Sequence, residues 1–152
     1  MKLGRILLWG FAAVVAGLYA VNNSWSAQPT GKLTVLAHRG VHQTYPSGGL
    51  TRESCTATRI RAPTTPFIEN TLPSMREAFR LGADAVELDV HPTTDGEFAV
   101  FHDWTLDCRT EGKGVTREHP MTYLRTLDVG YGYTADGGKT YPFRGNGVGQ
   151  MP

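Results

Sequence analysis

The stretch GADAVELDV, residues 82–90, decides the fold. Its apolar and β-branched residues predict a strand that is buried on both faces, as in a parallel sheet. Glu87 and Asp89 are two residues apart, so on a strand both carboxylates point to the same side. A solvated strand face is the alternative explanation for this acidic pair. The apolar flanks disfavour it, because unpaired carboxylates are costly in a buried strand.

Two further strand-like runs each end at a histidine. Leu33–Ala37 is followed by His38, and Phe98–Phe101 is followed by His102. The turn residues at 93–96 predict a hairpin that returns His102 to the side of the carboxylates. The polar groups at these strand ends are therefore expected to converge at one mouth of an α/β fold.

A helix is predicted over residues 71–82, between the run Leu33–Ala37 and the stretch at 82–90. Thr71 or Asn70 is placed near its cap, Pro73 lies in its first turn, and Gly82 lies beyond its end. Its period predicts which side chains pack on the sheet: Leu72, Met75, Ala78 and Phe79.

The residue types at the mouth suit phosphodiester chemistry. Oxygen ligands such as Glu87 and Asp89 favour Mg²⁺ or Ca²⁺ over zinc. Arg39 offers a planar, permanently charged fork for phosphate oxygens. Histidine side chains in general titrate near neutrality, so His38 and His102 are of a residue type that suits proton transfer. Any one of these residues alone has a structural explanation, but the combination favours a catalytic site.

Five motifs in this order carry a family resemblance: HRG at 38–40, ENT at 69–71, VELDV at 86–90, TDG at 94–96 and HD at 102–103. Together they resemble the N-terminal half of a glycerophosphodiester phosphodiesterase. The resemblance implies a (β/α)₈ barrel of the TIM type that uses a divalent cation to hydrolyse glycerophosphodiesters to glycerol 3-phosphate and an alcohol. In the family, a glycerol hydroxyl is thought to attack first, giving a cyclic phosphate that water opens.

The resemblance also implies roles for individual residues. Carried over by motif, these are His38 and His102 as the acid and base, Arg39 as a phosphate ligand, Glu87 and Asp89 as metal ligands, and Glu69 as a further active-site residue and candidate metal ligand.

The family pattern implies one more metal-ligating glutamate, with a nearby lysine, on a later strand. Glu111 and Glu118 lie in a polar stretch that reads as a loop, so neither is a substitute. A complete barrel takes about 250 residues, whereas this chain has 152. We therefore expect residues 33–152 to form the N-terminal portion of an incomplete barrel, and we interpret the chain as a truncated gene product or fragment.

The N-terminus predicts export. Lys2 and Arg5 precede the uncharged run Ile6–Val21, and the next charge is Lys32. This run is longer than most signal-peptide cores and shorter than most spanning helices. Residues 1–22 are thus an uncleaved signal anchor or a cleaved signal peptide, and 23–32 a polar tether. With the positive charges first, the remainder is expected in the periplasm or outside the cell.

Charge and cysteine content narrow the function further. Two of the 15 basic residues lie in the N-terminal segment, which leaves 13 against 14 acidic residues and no basic patch for nucleic acid. The two cysteines, Cys55 and Cys108, are expected to form a disulfide in an exported chain or to remain two free thiols. They lack the spacing of a zinc site.

Two other functions fit the same residues. One is a phospholipase of the same barrel type that acts on intact lipids, which membrane tethering makes plausible. The other is an inactive, membrane-anchored remnant or binding module that lacks the later metal ligand.

Overall fold

The computed structural model describes residues 2–23, 31–51 and 54–152. The chain divides into two compact units, residues 1–33 and 34–152. Most of the predicted polar tether, residues 24–30, lies outside the described residues.

The first unit contains helix α1, Lys2–Val21. Its large apolar side chains, from Ile6 to Val21, are exposed. The window Gly4–Val21 has a mean hydropathy of 1.7 and is, by length and composition, long and apolar enough to cross a membrane. A signal sequence at an N-terminus has the same properties.

In the second unit, strand β1, Leu36–His38, pairs in parallel with strand β2, Ala85–Glu87. The register places His38 opposite Glu87. The first strand begins later than predicted because the Val35 N–H donates to the Asp84 carboxylate at 2.9 Å instead of to a ladder carbonyl.

Helix α2, Leu72–Arg80, connects these strands and packs against β2. Thr71 accepts a hydrogen bond from the Ser74 N–H, and Gly82 follows the helix with a φ of +98°, so the predicted start and stop signals are confirmed. The predicted buried face is wrong in part, because Ser74 and Ala78 are buried whereas Leu72 and Phe79 are more than half exposed. At Ser74 a small side chain is required, because Gly40, in the turn after β1, lies directly against it.

Strands β3, Val90–Pro92, and β4, Phe98–Val100, form the predicted hairpin in antiparallel register. The expectation that residues 83–90 are buried on both faces is wrong, because Leu88 is 41% exposed and Val90 50% exposed. In the part of the chain that the structure describes, β2 has a strand partner on one edge, β1, and this small sheet leaves apolar side chains uncovered.

Most of the buried apolar side chains that form the core of the second unit come from the segments that follow β4. These contain short helix α3, Met121–Leu124, and a one-turn 3₁₀ helix at Thr116–Glu118, and another 3₁₀ turn lies earlier at Ala57–Arg59. Two aromatic residues of the glycine-rich loop at residues 130–149, Tyr133 and Phe143, are buried in this core with their rings 5.7 Å apart. The loop therefore packs as a structural element.

A disulfide between Cys55 and Cys108 joins the segment before the 3₁₀ turn at Ala57–Arg59 to the segment after β4. The two Cα atoms are 5.7 Å apart, and the bond closes a loop with a sequence separation of 53. Cross-linking a loop of this length restricts the unfolded chain and stabilises the native state by about 2–4 kcal/mol.

We expect the denatured, unreduced protein to contain no free thiol by titration. The urea midpoint should fall when dithiothreitol is added, whereas a Cys55→Ala/Cys108→Ala variant should not respond to the reductant. Two free thiols before reduction would contradict the disulfide.

Candidate active site

His38 and Glu87 face each other where the parallel strands β1 and β2 end. His38 Nε2 lies 3.8 Å from Glu87 Oε2, and the Arg39 N–H continues the pairing by donating to the Glu87 carbonyl at 2.9 Å. The Glu87 Oε2 atom is buried and accepts no hydrogen bond from the residues that the structure describes. A buried carboxylate oxygen without a donor is costly, so this atom is suited to receive a cation or a ligand.

The backbone turn after β1 directs the Arg39 side chain into the site. Arg39 has a φ of +58°, an uncommon conformation for a residue with a side chain, and Gly40 follows at +80°. The Arg39 carbonyl accepts hydrogen bonds from the Ser74 hydroxyl and the Asn70 N–H, both at 3.0 Å. A side chain at Gly40 would collide with Ser74. Helix α2 and the ENT motif thus determine where Arg39 points.

The Arg39 guanidinium lies between two carboxylates. Its Nε is 2.9 Å from Asp89 Oδ2 and its Nη1 is 3.5 Å from Glu69 Oε1. The Nε–H is nevertheless buried without a hydrogen-bond acceptor among the described residues, because it is not aligned with the near Asp89 oxygen. Asn70 Nδ2 donates to the same Asp89 oxygen at 2.9 Å. Arg39 is therefore held in place by the charges of Asp89 and Glu69.

A second arginine, Arg109, extends the same network. It is 3% exposed. Its Nη1 is 2.7 Å from Glu69 Oε1, and its Nε donates to Asp103 Oδ2 at 2.8 Å. Asp103 Oδ1 in turn lies 2.6 Å from His102 Nδ1. Because an ionised carboxylate only accepts, His102 donates from Nδ1, and its Nε2 is the nitrogen that could exchange a proton with a substrate.

The ionisation of this network follows from its burial and its charges. Burial would lower the pKa of Arg109, but the neighbouring Tyr133, Glu69 and Asp103 outweigh it and raise the pKa. Burial raises the pKa of Tyr133, so the phenol stays protonated. For Asp103, burial would raise the pKa, but the hydrogen bonds and charges of His102 and Arg109 outweigh it and lower the pKa below its ordinary value.

The lowered pKa of Asp103 predicts an acid-sensitive contribution to stability. The contribution is complete above the pKa of an unfolded aspartate, about 3.9, and it is lost as the pH falls through the lower folded-state value. Urea unfolding as a function of pH below about 4 should therefore show a smaller decline in stability for Asp103→Asn than for the parent. Glu97→Gln, at an exposed ion pair, is the control. Identical declines in the parent and Asp103→Asn would contradict this prediction.

A cavity of about 590 Å³ opens beside His102. Its lining includes the disulfide and the exposed ring of Trp104. Among the described residues, His38 and His102 do not contact each other. The ion-pair network of the two arginines includes His102, whereas His38 is paired with Glu87. The ring of His38 lies 6.0 Å from that of His42.

The carboxylates fit a divalent cation in part. The unsatisfied Oε2 of Glu87 and the oxygen-only donor set suit Mg²⁺ or Ca²⁺. Asp89 and Glu69 each use an oxygen in an ion pair with an arginine. Among the described residues, no group of three or more histidine, cysteine or acidic side chains is arranged to hold a metal.

Sequence reasoning missed Arg109 and assigned no role to Asp103. Arg109 lies at the start of a polar stretch that reads as loop, and nothing local predicts that it is buried. Its position next to Cys108 is the one local feature that sets it apart, because the disulfide brings it close to Thr56. Asp103 was visible as the partner of His102 in the HD motif.

Residues 38–151 match the glycerophosphoryl diester phosphodiesterase family. The glycerophosphodiester phosphodiesterase of Caldanaerobacter subterraneus subsp. tengcongensis is 42% identical over 62 residues, which cover 41% of this chain and 26% of that protein. The enzyme of that name from Bacillus altitudinis is 31% identical over 109 residues, 71% of this chain and 36% of that protein. The chain thus spans about a third or less of these relatives.

A solved structure is similar in fold. The glycerophosphoryl diester phosphodiesterase domain of a Mycobacterium tuberculosis protein superposes with a TM-score of 0.55 at 23% identity, covering 80% of this chain and 37% of that chain. This likeness supports the predicted α/β architecture as part of the fold of that domain.

Proposed function

Because the chain belongs to the glycerophosphoryl diester phosphodiesterase family, we propose that the protein hydrolyses glycerophosphodiesters to glycerol 3-phosphate and an alcohol. The observation that carries this proposal is the family match over residues 38–151, which include every residue proposed for the site. The buried arrangement of alternating arginines and carboxylates supports it, because such an arrangement holds its charged groups rigidly before substrate arrives.

In the proposed reaction, Arg39 binds the phosphate of the diester. Its side chain is 11% exposed and fixed by Asp89 and Glu69. Its planar, permanently charged guanidinium supports this role, because such a group binds phosphate oxygens through paired N–H donors.

His38 and His102 are the proposed acid and base. One removes a proton from the attacking hydroxyl and the other protonates the departing alkoxide. The contact of His102 with Asp103 supports its part, because the carboxylate orients the ring and stabilises it when it is protonated. The cavity beside His102 is a place for the departing alcohol.

A divalent cation, Mg²⁺ or Ca²⁺, is the proposed cofactor, with Glu87 and Asp89 as its ligands and Glu69 as a third candidate. When bound it would withdraw electron density from the phosphoryl group. Glu87 is the best supported ligand because its Oε2 has no hydrogen-bond donor among the described residues. Glu69 is the least supported because two arginines already contact its Oε1.

The function is tested by incubating the full-length protein with glycerophosphocholine and measuring glycerol 3-phosphate. We expect turnover that stops with a chelator and returns with Mg²⁺ or Ca²⁺. Calorimetric titration with the cation alone should show weaker binding for Glu87→Gln than for the control Glu97→Gln. No turnover of any glycerophosphodiester would overturn the proposed activity, and turnover indifferent to the chelator would overturn the cation.

Helix α1 supports the proposal that residues 34–152 are exported and face the periplasm or the exterior, attached by an uncleaved anchor or released after cleavage. A periplasmic alkaline phosphatase fused after Pro152 should be active in cells, because the positive charges at Lys2 and Arg5 precede the apolar run. A reporter that works only in the cytoplasm would contradict export. Sequencing the N-terminus of the mature protein separates anchor from signal peptide.

A further inference from the structure

The charged network of the site runs without a break from Arg39 to His102. The order is Arg39, Glu69, Arg109, Asp103 and His102, and successive charged atoms are 3.5, 2.7, 2.8 and 2.6 Å apart. The charge sign alternates along the series when His102 is protonated. Arg109 occupies its centre and is the only member, among these five, that contacts a carboxylate from each half of the site.

The two cysteines of the disulfide are sequence neighbours of Arg109 and of its hydrogen-bond partner Thr56. Cys108 precedes Arg109 in sequence, and Cys55 precedes Thr56, whose hydroxyl accepts a hydrogen bond from Arg109 Nη2 at 2.8 Å. The bond therefore holds together the residue that carries the guanidinium and a residue that binds it. Tyr133 completes the surroundings of Arg109 by accepting from Nη1.

From these contacts we propose that Arg109 is a positioning residue that fixes the side chains of Arg39 and His102 relative to each other. We also propose that the Cys55–Cys108 disulfide clamps Arg109 in place. The inference rests on the proposed function only for the roles of Arg39 and His102. Arg109 touches neither directly. It acts through Glu69 on the phosphate side and through Asp103 on the side of the departing alcohol.

Because the Arg109 guanidinium is buried and ion-paired, it holds the Glu69 and Asp103 carboxylates at fixed positions. An arginine donates from a rigid planar fork, so its Nε and Nη1 fix the directions of two carboxylates at once. A lysine at this position would retain the charge but could not reproduce the fork. Arg109→Lys therefore removes the geometry while keeping a positive charge at this position.

The test follows the side-chain N–H signals of the full-length protein by nitrogen-15 NMR, with the disulfide intact and after treatment with dithiothreitol. The reductant converts the disulfide to two thiols and is itself oxidised to its cyclic disulfide. The Arg109 Nε–H signal is identified as the one missing from Arg109→Lys. We expect the exchange of this N–H with water to become at least about tenfold faster after reduction. We also expect the Nδ1–H tautomer to make up a smaller fraction of neutral His102.

Matched variants separate the clamp from general loosening. Thr56→Ala removes an acceptor of Arg109 and should speed the same exchange, whereas Thr58→Ala, whose hydroxyl donates to the Cys55 carbonyl, should not. Dithiothreitol should have no effect on the Cys55→Ala/Cys108→Ala variant. The kcat for glycerophosphocholine should fall about tenfold or more on reduction and in Arg109→Lys, with circular dichroism unchanged.

Exchange and His102 signals that are indifferent to reduction would overturn the clamp. Altered signals with unaltered kcat would overturn the positioning role. If the oxidised protein cleaves no glycerophosphodiester, the proposed function fails, and the NMR signals of Arg109 and His102 still decide whether the disulfide holds the network.

Discussion

Replacing His102 with alanine is expected to lower the rate of glycerophosphocholine hydrolysis by the full-length protein about 10²–10⁴-fold, the usual contribution of general acid–base catalysis. The reason is that the variant loses the ring that Asp103 orients and whose Nε2 remains to transfer a proton. We expect His38→Ala to lower the rate by a factor in the same range, because His38 lies at the strand end beside Glu87. Release of glycerol 3-phosphate measures both effects.

The matched control is His119→Ala. His119 Nε2 contacts the Lys113 carbonyl at 3.0 Å, and its ring packs 4.9 Å from that of Tyr123. Its replacement should leave the rate within about threefold of the parent, as expected of a surface change. Full activity of both His38→Ala and His102→Ala would refute the assignment of the acid and base.

The second large effect concerns stability. Arg109→Met removes the cation that Glu69 and Asp103 share, and it leaves two carboxylates buried without it. Breaking a buried ion pair from one side costs about 3–5 kcal/mol. We expect the free energy of unfolding, measured by urea denaturation at neutral pH, to fall by that amount.

An exposed ion pair provides the comparison. Arg125 and Glu97 approach to 2.8 Å, but both side chains are about half exposed. Arg125→Met should therefore change stability by about 0–1 kcal/mol. Adding Glu69→Gln to Arg109→Met should recover part of the loss, since it removes one of the two carboxylates that have lost Arg109 and leaves Arg39 with Asp89. Equal effects of Arg109→Met and Arg125→Met would contradict this account.

Local signals in the sequence predict the elements that local physics determines. Thr71, Pro73 and Gly82 mark the ends of α2, and the turn at 93–96 marks the hairpin. The strand-end motifs also place His38 opposite Glu87, because parallel strands that end in polar residues bring those residues to one edge.

Features that depend on tertiary contacts were not accessible in this way. The buried face of α2 contains Ser74 and Ala78, and at Ser74 the Arg39–Gly40 turn comes close enough to exclude a larger side chain. The burial of Arg109 depends on Glu69, 40 residues away, and on a disulfide whose partner lies in another loop. A pattern along the chain cannot reveal a cation whose partners come from two distant segments.

The two strand pairings also set an order of assembly in time. Strands β3 and β4 are neighbours in sequence, and hairpins of this kind form in about 1–10 μs. The parallel pairing requires the chain around Val35 to find the chain around Asp84, 49 residues away. Closing so long a loop is slow because its entropy is lost before the contacts form. We therefore expect the hairpin that precedes His102 to form early in folding and His38 to pair with Glu87 late. The two halves of the site would then form at different stages.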